Sequence, residues 1–281
     1  MLIKKILVPV DFSEFSDHAV DHALFIAEKN NSHVTLFHTI VLFQKSFNEV
    51  APLRQYENFV KKKEEETFRY LQLHNEKALK KGITIDSQVT PGFSAADAIL
   101  DYINDNDFDV VIMGTHGRTG LKKWFYGSVA EKVVCLSPIP VLTTMKPLRK
   151  FAIGKTLIPM DFSDYSKQAA ERAIALGQEF GSQLVFMHVT SIFKIDSELP
   201  KRSEEKLREF TDVSDENATY VIKQGRAHHE IVKYANDNGV DLIIMATRGL
   251  SGLDHILFGS TTERVVRLAN CPVLTLERED S

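Results

Sequence analysis

The sequence has few cysteines, no long apolar run and no excess of basic residues, and each shortage excludes a class of protein. Two cysteines in 281 residues, Cys135 and Cys271, are too few for a disulfide framework, so we expect a reducing, cytoplasmic setting. The chain contains no stretch of about 20 apolar residues and its start does not resemble a signal peptide, so we expect no membrane partner. A formal net charge of -4 argues against nucleic acid as a partner.

The chain does contain an internal repeat. The segment KILVPVDFS, which begins at Lys5, reappears as KTLIPMDFS from Lys155, an offset of 150 residues. The segment DVVIMGTHG from Asp109 reappears as DLIIMATRG from Asp241, an offset of 132. The difference of 18 residues between the two offsets is missing from the middle of the second copy. We therefore predict two tandem domains, residues 1–146 and 151–281.

Short apolar runs alternate with helical patterns in both copies. In the first copy they predict strands at 6–10, 33–41, 83–89, 110–113 and 141–145. They also predict one helix that starts at Ser13 and three further helices at 61–81, 95–104 and 128–136. The second copy repeats the plan, with strands at 157–160, 183–190, 219–223, 242–245 and 273–276. We predict an α/β fold of two doubly wound domains, each with a five-stranded parallel sheet and helices on both faces.

Two features of the first copy lie where open parallel sheets bind ligands, beyond the carboxyl ends of the strands. Asp11 follows strand one, and the loop Gly114-Thr-His-Gly117 follows strand four. Nine residues then lead from Gly117 to Gly127 and Ser128, which open the next helix. Glycines allow a backbone to approach a ligand closely, and a helix N-terminus offers N–H groups and partial positive charge. The pattern therefore predicts a phosphate cradle.

The pattern G-x-x-G, nine residues and then G-S, with an aspartate in a V-D-F-S segment, resembles the universal stress protein family. The resemblance covers nearly the whole chain twice, as in tandem members of the family. It implies a Rossmann-like, adenine nucleotide alpha hydrolase-like fold. The ATP-binding branch of the family further implies ATP, or AMP or ADP, as the ligand, with Mg²⁺ on the phosphates.

The resemblance also implies roles for individual residues. Asp11 would contact the base and ribose, and Thr39 would lie beside adenine. The other implied ligand-binding positions of the first copy are Pro9, Val10, Met113, Gly114, His116, Gly117, Arg118, Gly127, Ser128 and Val129. In the second copy they are Asp161, Val189, Ala246, Arg248, Gly249, Gly259, Ser260 and Thr261.

The second copy departs from the pattern at Ala246, which replaces the first glycine of the loop. If this position requires a positive φ, alanine costs about 1 kcal/mol or more there. If it requires only space, one methyl group is tolerable. The sequence leaves both interpretations open, and we expect asymmetric occupancy, with the first copy the better receptor.

The candidate residues also have purely structural interpretations. Gly114 and Gly117 can form a strand-to-helix turn without any ligand, and Asp11 can cap the first helix. His38 and His188 occupy matching positions at strand ends, which favours a structural role for both.

The motifs favour a nucleotide-binding stress or regulatory protein over an enzyme. The sequence has no P-loop, no lysine at the glycine loop and no paired acidic metal site, so we expect weak ATP hydrolysis at most. A slow ATPase or nucleotidyl-transfer enzyme is one alternative, and a scaffold that serves protein contacts alone is another.

The resemblance further implies how the two copies interact. Single-domain members of the family dimerise through their last strands, and here 141–143 and 273–275 would pair within one chain as an intramolecular pseudo-dimer. Whether the whole chain also forms a homodimer stays open, and the sequence identifies neither the stress nor a protein partner.

Overall fold

The computed structural model describes residues 3–42, 53–115, 127–145, 147, 153–190, 198–211, 213, 217–247 and 259–277, with the backbone alone at 53–56 and 199. The chain divides into two compact units, Leu2–Ile139 and Pro140–Ser281. Within the described residues, no helix combines the length and the apolar character that crossing a membrane requires.

The first unit alternates parallel strands with helices. Its elements are β1 (Lys5–Pro9), α1 (Glu14–Asn30), β2 (His33–Val41), α2 (Leu53–Leu79), β3 (Ile85–Gly92), α3 (Ala95–Asp105), β4 (Val110–Gly114) and α4 (Ser128–Leu136). The strands lie in the order β3-β2-β1-β4. Leu7, Leu36 and Ile112 are fully buried on these strands and form the centre of the core.

The second unit repeats this plan and adds a strand at each end of its chain. Its elements are β5 (Val141–Thr144), β6 (Lys155–Met160), α5 (Asp164–Phe180), β7 (Gln183–Thr190), α6 (Leu199–Thr211), β8 (Ala218–Gln224), α7 (Ala227–Asp237), β9 (Leu242–Ala246), α8 (Ser260–Leu268) and β10 (Val273–Leu276). The strand order is β5-β10-β9-β6-β7-β8, parallel except between β5 and β10. The α/β fold class predicted from the sequence is confirmed.

Strand β5 belongs to the first repeat by sequence, yet it lies in the second compact unit because it pairs antiparallel with β10. Thr143 lies opposite Val273, and Thr275 lies opposite Val141. The Thr143 hydroxyl donates to the Val273 carbonyl at 3.2 Å, and the Thr275 hydroxyl donates to the Val141 carbonyl at 3.1 Å. The structure therefore pairs the two strands whose pairing the family resemblance implied.

The helix predicted at 61–81 begins eight residues earlier in the structure, as α2 at Leu53, and the third strand also departs from its predicted bounds. It begins at Ile85 instead of 83, because Ile83 still belongs to the turn that ends α2. Gly82 has a φ of 71°, and the Ile83 N–H donates to the Ala78 carbonyl at 3.1 Å. The strand continues to Gly92, and Pro91 is tolerated because β3 lies at the edge of the order β3-β2-β1-β4.

The length difference between the repeats lies in the helix that follows the second strand of each. Helix α2 has 27 residues, whereas α6 has 13. This agrees with the sequence, which places the missing residues in the middle of the second copy.

Candidate functional site

The carboxyl ends of neighbouring parallel strands bring together residues that are far apart in the chain. Strands β1 and β4 pair in parallel, so Asp11, just after β1, lies at the same edge as Gly114, the last residue of β4. Strands β6 and β9 pair in the same way and place Asp161 and Ala246 at the corresponding edge of the second unit. This edge is where open α/β sheets bind ligands.

The Asp11 carboxylate supports the turn that starts α1. Its Oδ1 accepts hydrogen bonds from the Ser13 N–H at 3.1 Å and from the Ser13 hydroxyl at 2.6 Å. Ser13 in turn is the N-cap and accepts from the Ser16 N–H. Asp161 makes the same two bonds to Ser163, at 3.0 and 2.5 Å. The helix cap is therefore the serine and not Asp11, and the carboxylate acts from outside the helix.

The residue after each aspartate has an unusual backbone conformation that the sequence did not indicate. Phe12 and Phe162 have φ values of 68° and 63°, in the left-handed region that bulky residues rarely occupy. Their rings pack on His38 and His188, with centroids 4.3 and 4.4 Å apart. Strain of this kind persists where the surroundings enforce it, and it is concentrated at functional sites.

Each of these histidines is bonded to the end of the neighbouring strand. His38 Nδ1 lies 2.7 Å from the Val10 carbonyl, and His188 Nδ1 lies 2.7 Å from the Met160 carbonyl. Because a carbonyl can only accept, Nδ1 carries the proton in both rings. Burial lowers the pKa of His188 below its ordinary value of 6.5. The contact supports the structural role that the sequence favoured for both histidines.

Gly114 is required for space and not for its backbone conformation. Its φ is not in the positive range, but a Cβ placed there would lie 2.9 Å from the backbone and Cβ of Phe15 in α1. In the second unit Ala246 occupies the same position as the last residue of β9 and is 8% exposed. The interpretation that this position needs a positive φ is therefore wrong, and Ala246 is accommodated as an ordinary strand residue.

A backbone hydrogen bond joins the two ends of each glycine loop. The Gly127 N–H donates to the Thr115 carbonyl at 2.9 Å, and the Gly259 N–H donates to the Thr247 carbonyl at 2.8 Å. The N–H groups of both glycines are thus used within the protein. The donors that the sequence predicted for a phosphate must come from residues further into the helix.

Those donors lie at the starts of α4 and α8. Both helices begin at a glycine with no side-chain cap, whereas α1, α3 and α5 are each capped by a serine hydroxyl. The first-turn N–H groups of Ser128 and Val129, and those of Ser260 and Thr261, have no acceptor within their own helix. Together with the partial positive charge of a helix N-terminus, they suit an anion.

A cavity of about 130 Å³ in the second unit brings the predicted residues of the second copy together. Six of them line it: Asp161, Val189, Ala246, Gly259, Ser260 and Thr261. Cavities that enclose a whole drug-sized ligand measure roughly 300–1,000 Å³. The described residues therefore enclose room for part of a nucleotide.

Sequence reasoning missed several residues of this cavity. Pro159, Met160 and Met245 also line it, and they are the counterparts of predicted residues in the first copy, Pro9, Val10 and Met113. Helix α7 adds Ala227 and Ile231, and Thr262 donates a hydrogen bond from its hydroxyl to the Ala246 carbonyl at 2.9 Å. The repeat itself was the signal that could have found the first three, since it relates both strand ends.

The remaining predicted residues divide between the strands and the loops. Thr39 is buried in β2, and Val10 and Met113 are buried at the ends of β1 and β4. Five predicted residues lie outside the described part of the chain: His116, Gly117, Arg118, Arg248 and Gly249. Within the described part, no group of three histidine, cysteine or carboxylate side chains is placed to hold a metal ion.

A family model described as the universal stress protein family matches the chain twice, over residues 2–144 and 153–276. The chain belongs to the universal stress protein family. A universal stress protein of Methanocaldococcus jannaschii is 33% identical over 139 residues, which cover 44% of this chain and 82% of that protein. A universal stress protein of Synechocystis is 26% identical over 294 residues, which cover 97% of this chain and 99% of the relative.

Solved structures agree with the fold. The crystal structure of a universal stress protein from Archaeoglobus fulgidus superposes with a TM-score of 0.78 at 21% identity. The match covers 98% of this chain and 97% of the other. At this level of identity the likeness concerns the fold, and it extends over both repeats.

Proposed function

We propose that this universal stress protein binds an adenine nucleotide, ATP or its mono- or diphosphate, in each repeat, and that it acts as a regulatory stress-response protein and not as an enzyme. The observation that carries the proposal is the cavity of the second unit. Its lining includes the Asp161 carboxylate and the uncapped start of α8. A carboxylate and an anion-binding helix end are the two polar groups that a nucleotide needs at its opposite ends.

The chemistry of each lining residue suits a different part of a nucleotide. The Asp161 carboxylate accepts hydrogen bonds, which suits ribose hydroxyls or a base N–H. The N–H groups of Ser260 and Thr261 donate, which suits phosphate oxygens. Val189 and Ile231 supply apolar surface for the faces of the base. A divalent cation such as Mg²⁺ would take its oxygen ligands from the phosphates.

The first repeat presents the same groups in the same order. Asp11 and its serine partner match Asp161 in both of their hydrogen bonds, and α4 starts at Gly127 without a side-chain cap, as α8 starts at Gly259. Because Ala246 fits its position as an ordinary strand residue, we expect both repeats to bind a nucleotide, against the asymmetric occupancy expected from the sequence.

Proline at the first helical position tests the phosphate donors directly. Ser128→Pro and Ser260→Pro each remove one backbone N–H and one hydroxyl group from the candidate cradle, and proline is well tolerated at this position of a helix. The preceding glycines have φ and ψ values of -66° and 129°, and of -72° and 132°, which a following proline accepts. Glu14→Pro at the start of α1 is the matched control, since Ser13 already caps that helix.

The measurement is isothermal titration with ATP and Mg²⁺ after removal of any co-purified nucleotide. We expect two sites in the parent chain and parent behaviour in Glu14→Pro. Each serine variant should bind about 10- to 150-fold more weakly at its altered site, since a hydrogen bond to a charged group contributes about 1.5–3 kcal/mol. A parent chain that binds no ATP rules out the proposal. Two sites of parent affinity in both serine variants would show that the phosphates lie elsewhere.

We further propose that β5 and β10 make the chain an intramolecular pseudo-dimer that needs no second copy. Their pairing covers strand edges that would otherwise be open to another chain. Light scattering during size-exclusion chromatography should then give the monomer mass of 31.8 kDa. A mass of twice that value would show that the whole chain forms a homodimer as well.

A further inference from the structure

Thr39 carries a buried hydroxyl group that has no hydrogen-bond partner among the described residues. The residue is 7% exposed and lies in β2, opposite Thr90 of β3. Its methyl group packs against Gly92, where an added Cβ would lie 3.3 Å from Thr39 Cγ2. Buried polar groups of folded proteins are nearly always paired, so an unpaired hydroxyl indicates a partner that the described chain does not supply.

The second repeat has Val189 at this position, 150 residues further along the chain. Val189 lines the same cavity as Asp161. It pairs with Lys223 of β8 just as Thr39 pairs with Thr90 of β3. Because both residues hold the same place in their repeats, Thr39 belongs to the corresponding wall of the first site. Valine and threonine have nearly the same shape, so the hydroxyl is the chemical difference between the two walls.

We propose that the Thr39 hydroxyl is a specificity determinant that hydrogen-bonds the nucleobase in the first site, whereas Val189 contacts the base by shape alone in the second. The inference rests on the proposed function, because it takes the ligand to be a nucleotide. A hydroxyl both donates and accepts, and the edge of a purine offers ring nitrogens that accept beside an amino group that donates.

The two sites of the chain then differ in what they reject. A buried group built to hydrogen-bond a ligand discriminates strongly against ligands that lack the partner, because the group is left unpaired. An apolar wall discriminates weakly among bases of similar shape. The first site is therefore the selective one, and the second accepts a wider range of bases.

The test compares Thr39→Val with its parent in a background whose second site is silenced by Asp161→Ala and Ser260→Pro. The probes are ATP and ribose 5-triphosphate, which keeps the sugar and phosphates but has no base. We expect Thr39→Val to weaken ATP binding about tenfold and to leave the affinity for ribose 5-triphosphate unchanged. The reverse change, Val189→Thr with the first site silenced by Asp11→Ala and Ser128→Pro, should strengthen ATP binding at the second site and leave the affinity for ribose 5-triphosphate unchanged.

Urea unfolding of the ligand-free chain provides the second readout. Thr39→Val removes an unpaired buried hydroxyl, so the variant should be at least as stable as the parent. A less stable variant would show that the hydroxyl has an internal partner, and it would overturn the inference. Unchanged ATP affinity, or an equal loss for both probes, also overturns it while the proposed function stands. If the parent chain binds no ATP, the proposed function fails, and this inference fails with it.

Discussion

Replacing Gly114 with alanine should loosen the packing of α1 on β4. The added Cβ would lie 2.9 Å from backbone atoms of Phe15, closer than such atoms approach in folded proteins. Either α1 moves away from the sheet or the end of β4 shifts. Both changes disturb the Asp11–Ser13 turn, because that turn connects β1 to the start of α1.

The expected loss of stability follows from the atoms that the new methyl group meets. Overfilling a packed site costs about 1–3 kcal/mol, and we expect about 2 kcal/mol here because backbone atoms cannot rotate out of the way as a side chain can. The reciprocal change, Ala246→Gly, removes one buried methyl group and adds backbone freedom, which together cost about 1–2 kcal/mol.

Two assays separate these effects. Urea unfolding measures the total change in free energy, and hydrogen–deuterium exchange shows which helix loosens. In Gly114→Ala the first turns of α1 should exchange faster while α5 stays protected, and in Ala246→Gly the start of α1 should not change. A Gly114→Ala chain with parent stability and parent exchange in α1 would refute the reasoning that this glycine is required for space.

Two further predictions concern histidines. His38→Phe keeps a ring against Phe12 but removes the donor to the Val10 carbonyl, so we expect the free energy of unfolding in urea to fall by about 1 kcal/mol. His38→Asn should lose less stability, because its amide can donate a hydrogen bond from the position of Nδ1. A His38→Phe chain with parent stability beside a destabilised His38→Asn chain would assign the effect to the ring instead. Burial lowers the pKa of His22 and His74 below 6.5, so the folded chain binds fewer protons than the unfolded chain. Stability should therefore fall as the pH decreases below 6.5, and a urea midpoint that stays constant from about pH 8 to 5.5 would contradict this.

The alternation of strands and helices was predictable because burial leaves a local mark on the sequence. Residues 110–113 are apolar without interruption, as a strand covered on both faces must be, and they form β4. Ser13 predicted the start of α1 because capping depends on groups three residues apart. The start of β3 was not predictable in this way, since it depends on how Gly82 ends α2 and on where β2 pairs.

The spacing of the repeated motifs places Asp161 and Gly259 at one edge of the sheet, because residues that follow neighbouring parallel strands lie there, and both line the cavity of the second unit. Val189, which also lines it, was implied by the family resemblance. The identity of the residues did not reveal how each is used. Asp11 could equally have been a helix cap, and the structure shows that Ser13 has that role.

The sequence alone established the duplication, the α/β class and the residues around the strand ends, since each of these depends on order and spacing along the chain. The close approach of Phe15 to Gly114, the bond from His38 to the Val10 carbonyl and the unpaired hydroxyl of Thr39 required the folded structure. These features depend on distances between residues that are tens of positions apart. Such distances are set by how helices pack on the sheet, and packing leaves no periodic mark in the order of the residues.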